Sequence, residues 1–257
     1  MTPHTTIIKT ISIVSFFLLF VFIVNAHAAS TIETLTQQID NNPKNAQLYI
    51  QRGNAFFDIN ELFDAKEDYS QAIELDSQAD EAYYGRGLVL SRQGFINDGI
   101  ADLTFYLSRN PNSSKAFTKR GVRYMWKGEF EKAEKDLLMA IKLDSKNAEA
   151  HDDLGVIYAR RQEYQTALTH FSTTIKLDPT YQKAHHNIAM TLYLVGQDET
   201  ALKEANIAIK LNPNHKDALL LKSQILMAMG RDEEANEAKE EAEFLPDTTA
   251  GEAIPVN

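Results

Sequence analysis

Gly53, Gly87, Gly121 and Gly155 stand 34 residues apart, and Ala189 and Ser223 continue the series. Twelve residues after each comes a second small residue: Ala65, Gly99, Ala133, Ala167, Ala201 and Ala235. Glycine inside a helix costs about 1 kcal/mol relative to alanine. Its return in phase therefore needs a physical reason, and close approach supplies one: two antiparallel helices cross where neither side chain can be large. A fixed period of this length describes stacked units, each burying its apolar face against its neighbours.

The bulkier places keep the same phase. Phe56, Leu90, Tyr124, Tyr158, Leu192 and Leu226 fall on the buried side of a first helix in each unit. Tyr69, Leu103, Leu137, Phe171 and Ala205 do so on a second. Ala72, Ala140, Thr174, Ala208 and Ala242 are small where one unit meets the next, with bulky Tyr106 the exception. Pro111, Pro179 and Pro213 end second helices, because proline cannot continue a helix. Gly94, Gly128, Gly196 and Gly230 mark the turn inside a unit. The second repeat period also carries Gly85, Gly87 and Gly99, the densest glycine in the chain, and this marks it as a candidate soft point.

Within Ala148–Tyr181 the residues Leu154, Gly155, Tyr158, Ala167, Phe171 and Pro179 follow the L-G-x2-Y, A-x3-F, P order of a tetratricopeptide repeat, with His151 at the place that favours Trp. The chain resembles six such repeats in tandem: 46–79, 80–113, 114–147, 148–181, 182–215 and 216–245. The resemblance implies an all-α fold, a right-handed α-solenoid superhelix of stacked helix-turn-helix units. Residues 29–45 are expected to supply a capping helix. Lys222, Ser223 and Lys239 stand at usually apolar or small places, as suits a wet terminal repeat. Residues 246–257 lack periodicity and read as a disordered tail.

The first 28 residues read as a signal peptide. Lys9 gives a weakly positive start, Ile11–Val24 is a nearly unbroken apolar run, and Ala26-His27-Ala28 offers a cleavage site. The run falls short of the roughly 20 residues that span a bilayer comfortably. The expected destination is the periplasm or the exterior, with an uncleaved inner-membrane anchor as the alternative. The chain has no cysteine, which removes disulfides, thiolate metal sites and cysteine nucleophiles. Its net charge of −10 repels phosphate backbones and argues against nucleic acid as a partner.

Six repeats and the leader occupy nearly all 257 residues, so no catalytic domain is expected. There is no phosphate loop, H-E-x-x-H or G-x-S-x-G motif either. His151 and His185 hold equivalent places in adjacent repeats and should lie about 10 Å apart, too far to share one ion. No cofactor, metal or small-molecule substrate is expected.

In the family the first helix of each repeat lines a concave groove. Carried over by position, the groove places are Tyr84, Leu88 and Arg92; Lys115, Lys119, Val122, Met125 and Trp126; Glu149, Asp152, Asp153, Val156 and Arg160; and Lys183, His186, Asn187, Met190 and Tyr193. The binding set expected from these is Tyr84, Arg92, Lys115, Lys119, Val122, Trp126, Asp152, Asp153, Arg160, His186, Asn187 and Tyr193. Aromatic residues flanked by charges of both signs suit a peptide or an amphipathic helix. The carboxylate clamp used by some family members is incomplete: Asn54, Lys115 and Lys119 are in place, but Ile50 and Gly85 stand where Lys and Asn are required. The resemblance thus implies a non-enzymatic scaffold or adaptor for protein or peptide partners. An inner-membrane-anchored subunit of an envelope assembly or secretion complex is the alternative.

Overall fold

The computed structural model describes residues 29–246. The segment read as a leader, and all of the expected tail beyond Pro246, lie outside the described residues.

Residues 29–41 form a first helix, α1, with Leu35 and Ile39 buried. Helix pairs follow: α2 (Ala46–Asp58) with α3 (Leu62–Leu75), α4 (Asp80–Arg92) with α5 (Ile96–Arg109), and α6 (Ser114–Trp126) with α7 (Phe130–Leu143). The next are α8 (Ala148–Arg160) with α9 (Tyr164–Leu177), α10 (Gln182–Leu194) with α11 (Asp198–Leu211), and α12 (Lys216–Ala228) with α13 (Asp232–Glu243). All regular structure among the described residues is helical. The chain divides into two compact units at Arg109–Asn110. In each unit, paired helices pack on one another and then on the next pair, as an α-solenoid does.

The boundaries have local causes. Asn45, Ser113, Asn147 and His215 cap first helices, each accepting a bond from a backbone N–H of the opening turn. Asp76, Asp144, Asp178 and Asn212 follow second helices, and their Oδ1 atoms accept from the N–H two residues on, at 2.9 to 3.1 Å. That side-chain bond turns the chain toward the next repeat. Inside each pair the turn needs a positive φ. Glycine supplies it four times; Asn60 and Gln162, at φ 62° and 63°, adopt it in the first and fourth pairs.

Close approach at the glycines takes a more specific form than small against small. A Cβ on Gly155 would sit 2.4 Å from the ring of Phe171, and one on Gly53 would sit 3.0 Å from the ring of Tyr69. The large residue of the second helix lies flat over the glycine. Gly85, Gly87 and Gly99 of the second repeat are equally enclosed. Gly85 lies under the Tyr69 ring of the preceding repeat, and a Cβ on Gly99 would meet Ser91 Oγ at 2.1 Å. Their density is a packing requirement.

A polar seam runs beside this core. Arg52, Arg86 and Arg120 each donate two parallel bonds, from Nε and Nη2, to Asp68, Asp102 and Asp136 on the paired helix. Arg52 also reaches Thr36 of α1, and Arg86 reaches Ser70 of α3, so the guanidinium ties one repeat to the one before it. In the next two repeats Leu154 and Ile188 replace the arginine. The polar contact passes to the histidine three residues earlier. His151 Nδ1 lies 3.2 Å from His170 Nδ1, and His185 Nδ1 lies 2.7 Å from Glu204 Oε2. In the last repeat the buried Ser223 donates to the Ala235 carbonyl at 2.7 Å, so the departure from glycine there is satisfied.

Among the described residues no helix is long and apolar enough to cross a membrane.

Candidate functional groove

First helices of the second unit carry the candidate site, because their 34-residue period returns equivalent residues to equivalent places. Two contacts show which side chains meet. Lys119 Nζ of α6 donates to both carboxylate oxygens of Glu149 on α8, at 2.5 and 2.8 Å. Asn187 Nδ2 of α10 donates to Asp152 Oδ1 on α8 at 3.1 Å. Successive first helices thus share one polar face through side chains 30 and 35 residues apart in sequence.

Asp153 stands between these two contacts and joins neither. Asp153 is half-buried, and its Oδ2 is closed to solvent with no hydrogen-bond donor. Burial pushes this carboxyl well above the ordinary range, and the neighbouring charges of Asp152 and Glu149 add to the effect against Lys119 and Lys183. Asp152 is 3% exposed, and burial raises it to about 7 despite the bond from Asn187. His186 Nδ1 is likewise closed off without a partner, and burial lowers this imidazole to about 4, helped by His215 nearby.

The remaining expected residues are placed as follows. Val122, Trp126 and Tyr193 are half-buried. Arg123 lies over the Trp126 ring at 4.7 Å, and Tyr193 packs on the core cluster built around Phe171 and Ile188. Arg160 is exposed and lies over Phe130 at 4.6 Å, while Lys115 is exposed in the first turn of α6. Tyr84 and Arg92 belong to the first unit. There Tyr84 packs against Tyr106, with ring centres 5.1 Å apart, and Arg92 lies over Phe57 at 4.5 Å. Among the described residues no group of three or more His, Cys, Asp or Glu is arranged to hold a metal ion.

Three features escaped the sequence reading. The arginine–aspartate ladder was visible in principle, since its members recur at the glycine period. His170 as the partner of His151 was not, because it replaces an aspartate and repeats nowhere. The isolation of Asp153 was not either, because it depends on Glu149 taking Lys119.

Comparison with known proteins agrees with this architecture. Residues 53–94 match the family model described as TPR repeat, and residues 148–181 match the one described as tetratricopeptide repeat. The chain carries tetratricopeptide repeats. No curated protein matches it in sequence. Among solved structures it is similar to the APC/C hetero-tetramer Cut9–Hcn1, with TM-score 0.77 and 16% identity over 88% of this chain. The chain spans 46% of the length of that matched chain. A tetratricopeptide repeat protein from Parabacteroides merdae gives TM-score 0.72 at 18% identity, over 90% of this chain and 91% of that one. YrrB, a TPR protein with an unusual peptide-binding site, gives TM-score 0.55 at 29% identity, over 73% of this chain and 97% of that one.

Proposed function

We propose that this chain is a non-enzymatic scaffold of the bacterial cell envelope that holds a peptide or protein segment along the first helices of its second unit. One observation carries the reading. Side chains from three successive first helices, Lys119, Glu149, Asp152, Asp153 and Asn187, form one continuous polar face, and part of it has no partner within the chain. A peptide supplies both backbone groups and side chains at intervals, which suits a surface built by repetition. The peptide-binding site of YrrB, at 29% identity, supports the same reading. The apolar run Ile11–Val24 and the Ala26-His27-Ala28 site support the envelope location.

The test uses the full chain, immobilised and exposed to envelope extract. The scaffold reading expects retained proteins that are lost when Trp126→Ala and Tyr193→Ala are combined, with the helical circular-dichroism signal intact. Unchanged retention would move binding off these helices. The same apolar run carries a second reading, an anchored membrane subunit. Mature protein beginning at Ala29 would discard it.

A further inference from the structure

The carboxyl of Asp153 is the part of this face that most plainly lacks a counterpart. Glu149, Asp152 and Asp153 sit at i, i+3 and i+4 on α8, so they share one side of the helix. Three acids crowded there repel one another. The chain answers two of them: Lys119 bonds Glu149 twice, and Asn187 bonds Asp152. Lys183 acts on both aspartates from α10. Asp153 is the member of the three that no side chain of the chain bonds. Its Oδ2 is shut from water and meets no donor. An enclosed acceptor in that state costs free energy until a donor arrives.

Resting on the groove reading above, we infer that the partner segment carries an arginine or lysine whose charged head seats on Asp153. A side-chain cation fits better than a metal ion, because no group of metal-ligating residues is assembled among the described residues. A guanidinium or ammonium brings directional N–H donors and makes the charge-assisted bond that an isolated carboxylate lacks. The half-buried Val156, three residues beyond Asp153 on α8, offers apolar surface for the methylene stem of the same side chain. The net charge of −10 steers basic segments toward this protein.

The experiment immobilises the full chain and presents fluorescent heptapeptide pools, randomised except for a central Arg, Lys, citrulline or Glu. Citrulline keeps the shape of arginine and removes its charge. Wild type is expected to retain the Arg and Lys pools about tenfold better than the citrulline pool, and Asp153→Asn to bring the three within about twofold. Should that variant fail to fold, Asp153→Ser carries the same expectation. Equal retention of Arg and citrulline pools by wild type overturns the inference and leaves the groove reading standing. So does a charge preference that survives the loss of Asp153. If wild type retains no pool, both readings fall.

Discussion

Arg120 holds Asp136 by two parallel bonds, Nε to Oδ2 at 2.7 Å and Nη2 to Oδ1 at 2.8 Å, across the pair α6–α7. The aspartate side chain is 7% exposed and that of the arginine 16%, so little water screens the pair. Arg86–Asp102 and Arg52–Asp68 repeat the geometry one and two repeats earlier.

Removing one partner of such a pair strands a buried charge. Arg120→Leu should therefore cost about 3 kcal/mol of stability, measured by urea denaturation. Arg120→Leu with Asp136→Leu should recover most of that loss, since two packed apolar groups replace the pair. A double variant as unstable as the single would show that the pair itself, and not the orphaned carboxylate, supplies the stability.

Gly155 makes a steric prediction. Alanine is the better helix former by about 1 kcal/mol, yet its Cβ would sit 2.4 Å from the Phe171 ring. Gly155→Ala should lower stability by about 1–3 kcal/mol, and Phe171→Leu in the same chain should offset part of the loss. Thermal melts of the two variants decide it.

Acid on the groove face gives stability a definite pH slope. Asp152 titrates near 7 when folded and near 3.8 as a free side chain, so the folded state holds the proton more tightly. Its contribution is full below about pH 4 and is lost as pH rises through 7. Asp153 has the same sign. Asp153→Asn should raise stability at pH 7.5 by about 1–3 kcal/mol and change little at pH 4.

The histidines act in the opposite direction. His151, His170 and His186 are lowered from 6.5 by burial, so the unfolded chain binds protons first as pH falls. Their contribution is present above about pH 6.5 and declines below it. His170→Gln should therefore flatten the melting-temperature profile between pH 7 and 5 and leave the aspartate slope untouched. A profile unchanged by that variant would remove the pair His151–His170 from the account.

Proton loss also couples to the inferred partner. A cation on Asp153 favours the ionised carboxylate, so retention of the arginine pool should weaken as pH falls from 8 to 5. The groups facing Asp153 are Asp152 and Glu149 on α8, Lys119 on α6 and Lys183 on α10. Asp152, which burial raises to about 7, ionises within the same window, so the trend is compared between wild type and Asp153→Asn, and only the part that the variant loses belongs to Asp153. Stronger retention at pH 5 than at pH 8 would contradict the seating of a cation there.

Much of the fold was legible because packing repeats. Gly53, Gly87, Gly121 and Gly155 announce the crossing points, and Gly94 and Gly128 announce the turns, each by position alone. Ala201 and Ser223 extend the rule where the consensus fades. The candidate site was legible only as a set of places. That Asp152 would meet Asn187, and that Asp153 would meet nothing, depends on side-chain directions which no period specifies. The same holds for His151, whose partner His170 occupies a place held by aspartate in three other repeats.

The bonds that lock this array are all short along the chain. Each arginine–aspartate pair spans 16 residues, Lys119–Glu149 spans 30 and Asp152–Asn187 spans 35. Loop closure over such distances is fast and entropically cheap. A growing or translocating polypeptide can complete each hairpin soon after it emerges, without waiting for the far end of the sequence. Folding of this protein is therefore expected to be tolerant of vectorial delivery, and nascent chains cut after Arg109 should already display the protected amides of α2 to α4.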